Sequence, residues 1–199
     1  MRLFIGSKNP GKIEDWRGYL PETEILTYLD LGIEPVRVEE GFESLRDNAE
    51  RKALAWAKAS GEVTLSDDTG FFIKALGGLP GVSVKRWGGR FEEEMSDEGL
   101  AAFIEKELES VGDTSSYFET VCAIARPTGV VGSCSVRYPG IIDKSLFGKS
   151  FQEGFAIGSV FKADGRRTVW HDMTMEEKKD ADREMIGGVK KIMRTLADE

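Results

Sequence analysis

The chain has 199 residues, 40% hydrophobic and 31% charged, which fits one large domain or two small lobes and excludes a disordered chain. Lys and Arg number 27 against 35 Asp and Glu, and the net charge of −8 excludes non-specific binding to nucleic acid or to an anionic membrane. With one histidine, His171, and two cysteines, Cys122 and Cys134, the chain lacks the ligands of a zinc centre, and nothing near His171 resembles a nucleophile.

Arg2–Gly6 reads as a short strand, which Asn9-Pro10-Gly11 turns into a helix reaching about Leu20. Glu24–Tyr28 reads as a second strand, and Leu31–Gly41 as an acidic loop. Ser44 is placed to cap a helix, with Asp47 as its capping-box partner. Five alanines between Ala49 and Ala59 favour that helix and keep it slim until Gly61 ends it. Val63–Ser66 reads as a strand that ends in Asp67-Asp68-Thr69-Gly70, followed by apolar Phe71–Ile73 and the turn cluster Gly77-Gly78-Leu79-Pro80-Gly81. Ser96 caps a helix with Leu100, Phe103, Ile104, Leu108 and Val111 at helical spacing. Ser116–Ala125 and Val130–Val136 flank Pro127-Thr128-Gly129 as a hairpin. Pro139–Glu153 is irregular, and Phe155–Lys162 reads as a strand before the turn Ala163-Asp164-Gly165. Thr174 and Glu177 form a capping box for one last helix, whose stripe includes Met185, Val189 and Ile192. Strands that first alternate with helices and then pair locally predict a mixed α/β sheet with a hairpin-rich second lobe. The cysteines read as reduced core thiols, and the absence of a signal peptide or membrane span predicts a cytoplasmic protein.

Three groups of residues carry chemistry. Gly6-x4-Gly11-Lys12 has phosphate-loop spacing, but Ile13 stands where a P-loop needs a magnesium-binding Ser or Thr. What survives is a strand-to-helix turn whose free N–H groups favour an anion, supported by Ser7, Asn9, Lys8 and Lys12. Asn48 and Lys52, four apart, share a helix face beside small alanines. Asp67 and Asp68, at the carboxyl end of a strand, suit a divalent cation or a base acting on water. Each group alone has a structural explanation as a turn or a solvated face.

Their order and wording do not. Ser7-x-Asn9-x-x-Lys12, then Glu39-Glu40, then Asp47-Asn48-Ala49-x-x-Lys52-Ala53, then Ser66-Asp67-Asp68-Thr69-Gly70-Phe71, then Gly77-Gly78-Leu79-Pro80-Gly81 closely resemble the inosine/xanthosine triphosphate pyrophosphatase family. Tyr117-Phe118 and Thr174-x-Glu176-Glu177-Lys178 extend the resemblance over nearly the whole chain. It implies a house-cleaning hydrolase that converts non-canonical purine nucleoside triphosphates to monophosphate and pyrophosphate. It also implies one domain over residues 1–199, an elongated two-lobed mixed α/β fold with the active-site cleft between the lobes, a Mg2+ cofactor and a homodimer. By the same resemblance Ser7, Lys8, Asn9 and Lys12 cradle the triphosphate and Lys52 neutralises it near the scissile bond. Glu40, Asp68 and Asp67 provide metal ligands, and Asp68 also orients the attacking water. Phe155 stacks on the base, while Asn48, Thr69, Gly70, Lys178 and Arg183 complete the nucleotide site.

The second half departs from the family. Gly154-Phe155-Ala156-Ile157-Gly158-Ser159 places Ile157 where the family has a second aromatic and Gly158 where it has the base-contacting aspartate. Around Asp182-Arg183-Glu184 the family's histidine is missing. A site built to hydrogen-bond one base edge rejects analogues by ~10⁴–10⁵, whereas stacking gives roughly 1–3 kcal/mol with any base. The expectation is intact phosphate chemistry with a relaxed base preference. A pyrimidine or modified nucleotide as substrate, or a catalytically idle nucleotide-binding module, are the alternatives. Lys12→Ala and Lys52→Ala are expected to cut activity and leave the fold intact.

Overall fold

The computed structural model describes residues 1–41, 44–149 and 156–197. Its first strands and helices are β1 (Arg2–Ile5), α1 (Pro10–Tyr19), β2 (Glu24–Leu26), α2 (Tyr28–Leu31), α3 (Leu45–Ser60), β3 (Thr64–Ile73) and β4 (Pro80–Gly81). They are followed by α4 (Asp97–Leu108), β5 (Ser115–Arg126), β6 (Gly129–Ile142), β7 (Phe161–Ala163), α5 (Met175–Ala181) and α6 (Arg183–Ala197). Hydrogen bonding orders the strands β2-β1-β3-β5-β6-β7, with β4 paired to β3. The result is the mixed α/β sheet that the sequence predicts. β1 runs parallel to β2, with Leu3 opposite Ile25, and parallel to β3, with Ile5 opposite Leu65. Parallel neighbours need crossovers, which α1 and α3 supply. β4 and β7 pair antiparallel to β3 and β6.

The chain divides into two compact units and passes between them repeatedly. One comprises Met1–Asp68, Thr120–Val136 and the segment from Met175 onward; the other comprises Thr69–Glu119 and Arg137–Thr174. In the first, Leu3, Phe4 and Ile5 of β1 are buried with Trp16 of α1 and with Ala49, Ala53, Trp56 and Ala57 of α3. The Phe4 and Trp56 rings lie 5.6 Å apart. In the second, Phe71, Phe118 and Phe161 form an aromatic cluster with centroids 4.5 to 5.8 Å apart.

Several elements differ from the sequence expectation. β3 does not end at Asp67 but continues to Ile73, because its far end pairs with β4. Tyr28 leaves the second strand for a helical turn. The Asp30 carboxylate accepts from the Thr27 N–H at 2.8 Å and its Oγ1 at 2.6 Å, and Gly32 at φ 62° closes the turn. Pro139–Ile142 extends β6 rather than opening an irregular loop, and Ala156–Ser159 is a 3₁₀ turn where a strand was expected. The last helix is two helices, α5 and α6, separated at the buried Asp182.

Where β6 passes β7, Gly140 allows backbones to approach closely. A Cβ there would collide with the Lys162 carbonyl oxygen and lie 2.9 Å from Ala163 Cα. Neither neighbour is a flexible side-chain tip, so the strand must shift. Gly140→Ala is expected to destabilise the protein by about 1–3 kcal/mol, the usual range for overpacking, as read from urea unfolding. Wild-type stability would show that the strands separate without cost.

Candidate functional site

Side chains alternate along a strand, so Asp67 and Asp68 leave β3 on opposite faces. They sit inside the strand, not at its carboxyl end. A different lysine meets each. Asp67 pairs with Lys12 at the start of α1, and Asp68 Oδ1 lies 2.6 Å from Lys52 Nζ on α3.

α3 reaches Asp68 because of its alanines. Ser44 Oγ accepts from the Asp47 N–H at 3.2 Å and starts the helix. Ala49, Ala53 and Ala57, spaced four apart, are fully buried and bring one thin helix face close to the sheet. Asn48 and Lys52 stand beside that stripe. Glu40 arrives from the loop before the helix, its Oε1 3.0 Å from Lys52 Nζ. Asn48 donates from Nδ2 to Asp68 Oδ2 at 3.0 Å and to the Gly41 carbonyl at 3.0 Å, and its Oδ1 accepts from the Gly41 N–H at 2.8 Å. Glu40, Asn48, Lys52 and Asp68 thus form one cluster. Asn48 is only 2% exposed, and both its amide nitrogen and its oxygen already have partners.

Charge in this cluster is partly removed from water. Burial pushes the Asp68 carboxyl up from its ordinary range, and Glu40 adds to the rise, outweighing the Lys52 ammonium and the Asn48 amide. Burial works to lower the pKa of Lys52, but Asp68 and Glu40 outweigh it and hold the ammonium above its ordinary range. An ion pair at ~4 Å is worth roughly 4 kcal/mol at an effective dielectric of 20, and desolvating each partner costs several kcal/mol. The terms are of one size. The pair therefore does not account for the stability of the fold; it holds a carboxylate and an ammonium in register.

At the entry to α1 several backbone donors have partners within the turn. Asn9 Oδ1 accepts from the Gly11 N–H at 2.9 Å and the Lys12 N–H at 3.3 Å, while Ser7 Oγ accepts from the Asn9 N–H at 3.1 Å. These N–H groups are satisfied within the turn rather than free for an anion. Lys8, exposed, and Lys12 remain as the cationic contribution. Gly6 is needed here, since a Cβ would collide with Ser66 Oγ and lie 2.8 Å from the Trp56 ring.

Farther along α1, Asp15 accepts from Lys178 Nζ of α5 at 2.9 Å, and the buried Tyr19 hydroxyl donates to Asp182. Burial and the Asp182 carboxylate push the Tyr19 phenol far up, so it stays a neutral donor. Asp15 and Tyr19 were not among the sequence candidates. Their partners lie 163 residues away, and no local pattern marks them. Arg183 is not brought to the cluster; its side chain is 80% exposed and pairs with Asp180. Thr69 and Gly70 continue β3 in the second unit, where Gly70 lets Phe72 and the Gly81 carbonyl pack closely. Phe155 lies outside the described residues. Its neighbours Ile157 and Gly158 are buried in the 3₁₀ turn. Lys144 Nζ donates to the Leu108 and Val111 carbonyls at 2.6 Å each, at the end of α4.

Among the described residues no three acidic, histidine or cysteine side chains form a ready metal cage. Glu40 and Asp68 nevertheless converge on one cation, the Lys52 ammonium. Mg2+ is commonly held by one or two carboxylates together with substrate phosphates, and these two hard oxygen donors fit that chemistry. Asp67, the preceding residue of β3, is paired with Lys12.

Residues 3–184 match the Ham1 family. A dITP/XTP pyrophosphatase of Prochlorococcus marinus is 32% identical over 203 residues, covering 96% of this chain and 94% of the relative. The solved nucleoside-triphosphatase (dITP/XTP pyrophosphatase) of Mycobacterium abscessus is 28% identical with a TM-score of 0.64, covering 100% of this chain and 98% of that one. The Ham1 protein of Staphylococcus aureus, 24% identical, superposes with a TM-score of 0.73 over 100% of this chain and 99% of its own, a likeness of fold.

The buried pair revises the expectation that Lys52 is dispensable for folding. Removing one partner of a buried ion pair costs roughly 3–5 kcal/mol. With Lys52 16% exposed and Asp68 9% exposed, Lys52→Met is expected at the lower end, about 3 kcal/mol at pH 7.5. The penalty comes from an unpaired charge on Asp68, whose folded pKa then rises further above its unfolded value. It is present at neutral pH and fades as pH falls through the folded pKa, where the carboxyl becomes neutral. Urea unfolding of variant and wild type at several pH values tests this, and a pH-independent gap would contradict it.

Proposed function

The chain belongs to the Ham1 family, and we infer that it is a house-cleaning nucleoside triphosphate pyrophosphatase, releasing pyrophosphate and a nucleoside monophosphate. The observation that carries the reading is the convergence of Glu40 and Asp68 on Lys52, next to the Lys12–Asp67 pair. A buried carboxylate with a raised pKa is suited to take a proton from water at neutral pH. Lys52 and Lys12 supply positive charge for a triphosphate on a protein whose net charge is −8. In the proposed reaction a water oxygen bonds to the α-phosphorus and its proton passes to Asp68. The bond from the α-phosphorus to the bridging oxygen breaks, and its electrons leave with pyrophosphate toward Lys12 and Lys52. Mg2+, held by Glu40 and Asp68, would neutralise phosphate charge when bound. Ser7, Lys8 and Asn9 are proposed at the triphosphate, and Thr69, Gly70, Phe155 and Lys178 along the rest of the nucleotide.

Residues 1–199 are proposed as one functional domain. The chain changes unit at positions 68/69, 119/120, 136/137 and 174/175, so neither unit can be cut out as one continuous piece. The family resemblance supports a homodimer and a cytoplasmic location. No helix among the described residues is long and apolar enough to cross a membrane.

Family relatives are named for dITP and XTP; for this chain a weaker base preference is proposed. Gly158 has no side chain to accept from a purine N–H, Ile157 is apolar, Asp182 is committed to Tyr19 and Arg183 to Asp180. Discrimination of ITP and XTP over ATP and GTP is expected on the ~10–200-fold scale of shape rather than the hydrogen-bonding scale. Measuring kcat/KM across ITP, XTP, ATP, GTP, CTP, UTP and dTTP decides it, and a thousandfold preference for ITP and XTP would overturn the idea.

Two further outcomes test the chemistry. Excess chelator should abolish pyrophosphate release and Mg2+ restore it, and Asp68→Asn should be inactive with either.

A further inference from the structure

We propose that Asn48 is a positioning residue that latches the Glu40–Gly41 segment to Asp68 and so sets the affinity of the site for a divalent cation. The proposal rests on the reading of Glu40 and Asp68 as cation ligands. Glu40 is 52% exposed on a loop, and its carboxylate reaches the site through the 3.0 Å ion pair to Lys52. The next residue, Gly41, is held by two hydrogen bonds from one buried side chain, its N–H at 2.8 Å from Asn48 Oδ1 and its carbonyl at 3.0 Å from Nδ2. The second Nδ2 hydrogen points to Asp68 Oδ2 at 3.0 Å. One amide therefore ties both carboxylate-bearing segments together.

Chemistry explains why the residue is an amide. The job needs two donors, one toward a carboxylate and one toward a carbonyl, and one acceptor for an N–H. Asn provides that set in a short, planar group. Aspartate in the same place would lose both donors and set a second negative charge against Asp68. Leucine would fill the space and leave the Gly41 N–H and carbonyl unpaired. With one bond on Asp68 Oδ2 and Lys52 on Oδ1, the carboxylate is fixed in rotation. Groups that orient metal ligands without touching the metal typically change affinity 10–100-fold when removed.

The test has an arm without metal or nucleotide. In the metal-free wild type the Gly41 amide should exchange its hydrogen slowly, and an unprotected rate overturns the latch without any variant. In Asn48→Leu and in the smaller, polar Asn48→Ser that exchange should quicken at least tenfold while amides in the middle of β3 keep wild-type protection. Mn2+ titrated calorimetrically into the same proteins should bind 10–100-fold more weakly than to wild type. The penalty should shrink in a Glu40→Gln background, because coupled residues do not add, and what remains is the share that acts through Asp68. Wild-type Mn2+ affinity in a folded Asn48 variant, or a penalty undiminished by Glu40→Gln, overturns the proposal alone. A wild type that binds no Mn2+ overturns the metal reading and this proposal with it.

Discussion

Adjacent residues in a strand cannot face the same way, and the site depends on that constraint. Asp67 and Asp68 would repel each other if they shared a pocket. β3 separates them, and each carboxylate is answered by a lysine from a different helix. One strand thereby brings the entry of α1 and one face of α3 to neighbouring positions. The continuation of β3 to Ile73 matters for the same reason. A turn at Asp67, the simplest reading of Asp-Asp-Thr-Gly, would have left both carboxylates on a mobile connection.

The energetics favour a functional reading of the buried charges. Attraction and desolvation are comparable for Lys52 and Asp68, so an apolar pair would serve stability as well. What the pair provides is position. The surrounding alanines supply no chemistry, yet without their thinness the long helix could not bring Lys52 and Asn48 to the strand. Asn48 then uses both amide hydrogens and one bond to its oxygen on Gly41 and Asp68. A charged cluster assembled from a loop, a helix and a strand is thus bound together by one amide.

The other end of α1 is tied down differently. Asp15 holds Lys178, and the Tyr19 hydroxyl holds Asp182 where the last helix divides. These bonds occupy groups on the segment in which the family carries base-reading residues. Arg183, one position on, faces solvent. Of the residues that depart from the family pattern here, Asp182 is attached to α1 through Tyr19.

Much was determined by sequence alone, because it depends on neighbours along the chain. Asn9-Pro10 and Ser44 start their helices as read, Gly61 ends α3, and the Ser96 helix buries Leu100, Ile104 and Leu108. The ordered motifs identified the family and nominated Glu40, Lys52 and Asp68, which the fold gathers into one cluster. Tertiary structure decided what depends on partners far away. Asp67 meets Lys12 while Asp68 meets Lys52 because strand alternation, acting on a longer β3 than predicted, turns neighbouring side chains apart. Asn48 became a latch because Gly41 and Asp68 consumed its amide. Tyr19, Asp15 and Asp182 acquired roles only through contacts spanning most of the chain. Local propensity sets where a helix starts; which way a polar side chain is used is set by the group it meets, and that is a property of packing.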